Sequence, residues 1–200
     1  LTCLGAILLN YVNRQSPSKK NMFLCKLSTI GYAIPGTVLA VGIFLPTAWF
    51  DNSLSFIMNW AFGIEIGQVL QGTVFVMLTA YAVRFMAAAF GGVDSSMQSI
   101  TPSLDEAASI SGIKGFSLIR LIHLPLLKKG LLTALILVMV DVVKEMPITL
   151  MTRPFGWDTL AVKIYELTSE GEWERAALPG LYLVLVSIIP VILLIKQTER

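Results

Sequence analysis

The sequence predicts an all-α bundle of helices that sits in a membrane, and three observations carry that expectation. Only 14% of the residues are charged while 55% are hydrophobic, against about a quarter charged in a soluble domain. Mean hydropathy is +0.74. The apolar residues gather into runs near the ~20 residues that a helix needs to cross a bilayer. A net charge of +2 gives no sign of a nucleic-acid partner.

The elements follow in order. Residues 1–12 are apolar but too short to span alone, so they are the end of a truncated helix or an interfacial piece. The chain opens at Leu1 without an initiator Met or a signal peptide, which suggests a fragment of a longer membrane protein. Residues 13–26 read as a polar linker carrying Arg14, Lys19, Lys20 and Lys26. Residues 27–50 form a first full span containing Pro35, Gly36 and Pro46, which membrane helices tolerate where neighbours satisfy the freed backbone groups. Residues 51–65 read as a short amphipathic connection. Residues 66–90 form a second span, with Gly67, Gly72 and Ala80 available for close helix packing. A polar loop at 91–124 leads to a third span at 125–150. A mixed amphipathic stretch at 151–177, a fourth span at 178–195 and a polar tail at 196–200 complete the chain. The whole of 1–200 reads as one transmembrane domain.

Charge orients these spans. Alternate loops place Arg14, Lys19, Lys20, Lys26, Lys114, Arg120, Lys128, Lys129, Lys196 and Arg200 on one side, with Arg84 near it. The long loop on the other side mixes Arg153, Lys163 and Arg175 with Asp158, Glu166, Glu170, Glu172 and Glu174. Lysine and arginine mark the cytoplasmic side, so the loop at 91–124 is expected there.

Within that loop, residues 105–125 read DEAASISGIKGFSLIRLIHLP. Ser103 and Glu106 have the Ser-x-x-Glu spacing of a capping box. Pro102 cannot continue an earlier helix, and Gly112 suits the left-handed position just past a helix end. The spacing predicts a helix of about two turns, roughly 12 Å long, then a second helical run over 113–124. Pro125 would open the next membrane helix, where a missing N–H costs nothing.

The pattern of Glu106, Ala107, Ala108, Gly112, Ile122, Leu124 and Pro125 resembles the EAA loop of bacterial ABC importer permeases, with no departure from it. Further stretches resemble the ferric-iron importer permeases of that family: IGYAIPGTVLA at 30–40, KEMP at 144–147 and RPFGWDTLA at 153–161. The resemblance implies a polytopic helix bundle of the type I ABC importer transmembrane domain, in which 101–125 is a cytoplasmic coupling loop. The loop's short helix would dock on a separate ABC ATPase subunit, which would hold ATP and Mg, and this chain would need no cofactor of its own. A second permease half, an extracytoplasmic substrate-binding protein and membrane lipid are the other implied partners. The chain would be most of the second of two fused halves in the bacterial inner membrane, working by alternating access. Ferric iron is the implied substrate, although thiamine, phosphonate, oxyanion and polyamine importers share the loop. Consistently, no G-x-x-x-x-G-K-[ST] phosphate loop occurs in the chain.

Each motif also has a plainer reading. Glu106 serves as the N3 partner of Ser103, Ala107 and Ala108 as helix formers, and Gly112 as a helix end. Lys144 and Glu145 fall roughly 28 Å along a helix that begins near Pro125, close to the far side of a ~30 Å core. They either snorkel to the outer interface or line a translocation path. Asp141 sits at i,i+3 spacing to Lys144, and Pro147 is a candidate gate hinge. Residues 158–177 alternate charge with apolar residues and read either as helices lying on the outer membrane face or as a contact for a binding protein. Cys3 and Cys25 have no ligand spacing, and His123 is the only histidine, which excludes a histidine-based metal cage within the chain. The rival functions are an ion-gradient-driven secondary transporter or channel acting through Asp141, Lys144 and Glu145, and a membrane-embedded enzyme. The second is disfavoured because no His, Asp and Glu converge within the spans.

Overall fold

The computed structural model describes residues 1–198, and every regular element among them is helical. Arg200, one of the cations used above for orientation, lies outside the described residues. The long elements are α1 (Thr2–Gln15), α2 (Lys19–Thr29), α3 (Gly36–Phe62) and α4 (Val74–Gln98). The loop carries α5 (Pro102–Ile110). One continuous helical run follows, made of α6 (Phe116–Leu118), a π-helical turn (Ile119–His123) and α7 (Leu124–Leu126). Then come α8 (Lys128–Val143), α9 (Pro147–Thr152), α10 (Leu160–Ser169) and α11 (Trp173–Thr198).

The bundle is organised on α4, which packs against α1, α2, α8 and α9. Its buried Tyr81, Phe85, Ala89, Val93 and Met97 recur every four residues, a single ridge along the helix. The first half of the ridge joins an apolar cluster with Leu39, Ala40, Ala80 and Ile148. The second half joins another with Ala6, Ile7, Ile119, Leu127 and Ala134. Small residues four apart on both helices let α4 and α8 touch closely. A Cβ built on Gly130 would lie 1.9 Å from Ser96 Oγ and 2.7 Å from the Gly92 carbonyl oxygen. Ala80 is fully buried in close packing as expected, but Gly67 and Gly72 lie in the non-helical stretch before α4 and pack no helices.

Several boundaries differ from the sequence expectation, each for a physical reason. Residues 13–26 are not a linker: α1 runs through Gln15, and Ser18 caps α2 by accepting from the Asn21 amide at 3.1 Å. The span expected at 27–50 breaks by 108° between Lys19–Tyr32 and Gly36–Phe62. Pro35 cannot continue the helix, and Arg84 of α4 takes up the freed carbonyls of Gly31, Tyr32 and Ile34 while lying 5.6 Å over the Tyr32 ring. Residues 51–62 continue α3 rather than forming a connection. The charge on Asp51 is satisfied by the Leu70 and Gln71 amides at 2.8–3.1 Å, so it does not force an exit to solvent. The second span starts later and ends later, as α4. The third is interrupted, because α8 stops at Val143. Pro125 lies inside the run before α8 rather than at its start, and the preceding turn is π-helical, accommodating the proline's missing N–H. The predicted tail continues α11 as far as Thr198.

These changes alter the span count. Among the described residues, two helices are long and apolar enough to cross a membrane, Val74–Gln98 and Trp173–Lys196, or three if the bent pair is one span, against the four expected. The 16 residues of α8 rise only about 24 Å. The apolar window of α11 is only 6% buried, so its surface faces outward from this chain.

Candidate functional site

The loop residues form a compact arrangement. Pro102 occupies the first helical turn of α5 and Thr101 the cap position. The predicted capping box is not formed. Ser103 lies inside the helix with its hydroxyl 3.0 Å from Thr101 Oγ1, and Glu106 is exposed. The other end is as the sequence suggests. Gly112 has φ +78°, the Ile113 amide donates to Ala108 O at 2.9 Å, and the Gly112 amide donates to Ser109 O at 3.1 Å. Together these bonds make a Schellman stop.

α5 presents Leu104, Glu106, Ala107 and Ile110 to the exterior, Ile110 at 89% exposure, while Ala108 is its one buried side chain. Ile122 is half-buried, whereas Leu124 and Pro125 are exposed. Ala107 and Ala108, which sequence reasoning treats alike, therefore point in different directions: one outward, the other into the bundle.

A network that sequence reasoning did not find holds this helix. Asp105 Oδ2 accepts from Arg14 Nε at 2.7 Å, and its Oδ1 lies 2.8 Å from His123 Nε2. The two Nη atoms of Arg14 donate to Met97 O and Ile100 O at 2.9 and 2.8 Å, the carbonyls where α4 ends. His123 is fully buried, with the Tyr11 ring edge-on at 5.8 Å, and Tyr11 Oη donates to Gly115 O at 3.3 Å. An ionised carboxylate only accepts, so His123 Nε2 carries the proton. Burial pushes the Asp105 carboxyl up, but the His123 hydrogen bond and the Arg14 guanidinium outweigh it and hold it below the ordinary carboxylate range. The available signals were the lone histidine and an aspartate directly before the Glu-Ala-Ala triplet.

The second group of predicted residues sits at the other end of α8, apart from the loop. Lys144 is the C-cap of α8. Its ammonium lies 2.9 Å from Asp141 Oδ1, the expected i,i+3 pair, and its side chain is 60% exposed. Glu145 points inward instead. It is buried, its Oε1 accepts from the Ile148 amide at 3.2 Å, and its backbone carbonyl accepts from Thr149 Oγ1 at 2.8 Å. Thr149 Oγ1 also bonds Tyr81 Oη of α4. A Cβ on Gly36, at the start of α3, would lie 3.4 Å from Glu145 Oε1. Glu145 thus caps α9 beside the N-terminus of α3, where a negative charge is favoured. Pro147 opens α9, so the chain is already broken at the position read as a hinge.

Beyond α9, Arg153 pairs with Asp158 and with Glu166, the latter at 2.7 Å, and this hydrogen bond holds Glu166 below the ordinary glutamate range. These side chains, with Gln68, Gln71, Phe44 and Met151, line an open cavity of about 490 Å³. Within the segment 158–177, α10 packs on α11 and buries Ala161, Val162 and Leu167.

Known proteins resemble this chain along its length. The Fe(3+)-transport system permease protein FbpB 2 of Haemophilus influenzae is 26% identical over 200 residues, covering all of this chain and 36% of that protein. PhnV of Salmonella typhimurium, described as a 2-aminoethylphosphonate transport system permease protein, is 34% identical over 131 residues, covering 66% of this chain and 48% of that one. The chain therefore spans between about a third and a half of the length of these relatives. A chain in the crystal structure of a bacterial alginate ABC transporter, in complex with an alginate pentasaccharide-bound periplasmic protein, superposes with a TM-score of 0.65. That match has 17% identity and covers 96% of this chain and 69% of that one. At that identity the likeness carries the fold alone, an all-helical membrane bundle. The profile of the family described as binding-protein-dependent transport system inner membrane component matches residues 2–197, and the chain belongs to that family.

Proposed function

We propose that this chain is the transmembrane permease half of an ATP-driven ABC importer, and that α5 docks on a separate ATPase subunit. The observation that carries the reading is the shape of α5. It is a short helix with a fixed glycine stop and an outward apolar face of Leu104, Ala107 and Ile110, framed by Glu106. Such a face suits insertion into a groove on a partner. Lys114, Arg120, Lys128 and Lys129 flank it, which favours the cytoplasmic side of a multi-pass inner-membrane protein. ATP and Mg would be held by the ATPase. Ile122, Leu124 and Pro125 would set the path of the chain from the docked helix back into α8.

Ferric iron, delivered by an extracytoplasmic binding protein, is the substrate we infer, supported by the FbpB likeness over the whole chain. A phosphonate is the second reading, supported by the higher identity to PhnV over the shorter stretch. An ion-gradient-driven transporter is less well supported, because Glu145 is engaged as a helix cap rather than standing in an open path. In alternating access, the break at Lys144 to Pro147 would be where α8 and α9 change their mutual angle, while Asp141 and Lys144 hold the end of α8.

The test is ATP-dependent uptake of ferric iron and of 2-aminoethylphosphonate by the full transporter in proteoliposomes. It is paired with co-purification of the ATPase with an Ala107→Arg variant. Uptake that requires ATP, and loss of the ATPase from the variant, are expected. Uptake that follows an ion gradient without ATP, or full retention of the ATPase, would overturn the reading.

A further inference from the structure

Apolar packing holds α5 only weakly. Of its nine residues a single side chain, Ala108, is buried. Its flanks are short: three residues, 99–101, on one side, and 111–115 on the other, where Gly112 and Gly115 have φ of +78° and +59°. A Cβ on either glycine would meet open space, so no side-chain packing surrounds them. A cleft of about 260 Å³ lined by Gln15, Asp105, Ser109, Lys114 and Leu118 leaves the helix room to tilt. Polar bonds, not burial, fix its direction.

Those bonds converge on one carboxylate. Asp105 uses one oxygen for Arg14 and the other for His123. The same guanidinium grips Met97 O and Ile100 O, so one side chain of α1 ties α5 to the end of α4. His123 ties α5 to the helical run that leads into α8. Charge-assisted bonds of this kind are directional and about twice as strong as neutral ones. Tyr11 adds a further tie through Gly115 O.

We propose that Arg14, Asp105 and His123 are positioning residues that make α5 move as one body with the end of α4 and the start of α8. The proposal rests on the docking reading above. With the clamp intact, a push on α5 is delivered to the bundle. With it cut, α5 pivots on its glycine flank, so the ATPase stays docked and hydrolyses ATP while the bundle no longer follows.

The experiment uses the full transporter in proteoliposomes, with Asp105→Asn, Arg14→Lys and the conservative Asp105→Glu. The transport readouts are ATPase co-purification and substrate moved per ATP. The positioning readout is the distance distribution between spin labels at Ser103 and Gln98, in a background with Cys3 and Cys25 replaced by alanine. In Asp105→Asn the distribution should broaden and substrate per ATP should fall about tenfold, the size of a typical coupling free energy, with the ATPase retained. Asp105→Glu, which keeps the charge, should recover much of both. Arg14→Lys, which cannot serve three acceptors in one plane, should fall between, and it decides the matter if Asp105→Asn does not accumulate. A narrow distribution and unchanged stoichiometry in Asp105→Asn, or in Arg14→Lys where that variant must serve, would overturn the clamp. Loss of the docking reading looks different: Ala107→Arg would then keep the ATPase, whatever the spin-label distance shows.

Discussion

Asp105 and Glu145 stand near opposite ends of α8, and both are carboxylates drawn into the protein. They are held in opposite ways. Asp105 is held by side chains from distant parts of the chain, Arg14 and His123, 91 and 18 residues away. Glu145 is held by its own neighbourhood, the amide three residues on and the threonine four residues on. The first arrangement joins three elements and leaves the helix that carries it otherwise loosely packed. The second closes one helix end and sits against Ile148 and Thr149, both fully buried. A local cap can be strong without transmitting anything, whereas a carboxylate shared between elements ties their motions together. The difference separates a residue that shapes the fold from one that links its parts.

The comparison is most exposed to removal of Arg14. In Arg14→Met, Asp105 loses its charge partner, and the Met97 and Ile100 carbonyls lose a donor. The expected destabilisation is about 2–3 kcal/mol, below the range for fully buried pairs because both side chains keep some contact with solvent. Thermal unfolding in detergent measures it. A loss no larger than that of a surface substitution would mean the network is ornamental. Acid should act through the same residue. Asp105 is held below its ordinary value, so the stability it contributes is fully present above the unfolded pKa of ~3.9. It is lost as pH falls through the lower folded value. Arg14→Met should show a smaller acid loss than the parent chain.

A medium effect is expected at the other carboxylate, and its pattern distinguishes a cap from a charge. Glu145→Leu removes the acceptor from a buried amide and should cost about 1–2 kcal/mol. Glu145→Gln keeps an acceptor oxygen and should cost less than about 1 kcal/mol, with uptake retained. Equal losses of uptake in both, at normal protein levels, would show that the charge itself serves transport, as a place on the translocation path requires.

The smallest effect belongs to Glu106. With no capping box, Glu106→Ala should leave the melting temperature unchanged, as for an ordinary surface position. It should act, if anywhere, on ATPase co-purification. A drop in melting temperature like that of a lost cap would mean that Glu106 stabilises α5 after all.

The loop shows how legible the chain was. Gly112 was readable because a helix stop is a local event, decided by which residues tolerate positive φ. The membrane class was readable because it follows from composition, and the loop's place between apolar segments because hydropathy is additive along the chain. The capping box does not form. Pro102 is itself an excellent first helical residue, so the helix starts one position before Ser103 and leaves that serine inside. The connection expected at 51–65 failed for a related reason. Backbone amides on a neighbouring segment satisfy the charge of Asp51, so α3 runs on through it.

By itself, then, the sequence determined the all-helical membrane character, the glycine stop of α5 and the position of the loop, because each depends on residues within a few places of one another. Tertiary structure alone decided that Arg14, Asp105 and His123 meet, that Ala108 faces inward while Ala107 faces out, and that Glu145 turns inward to cap α9. It also decided that Gly92, Ser96, Gly130 and Ala134 form the α4–α8 seam. Each of these outcomes needs two segments brought together in one register, and register is set by how whole helices pack.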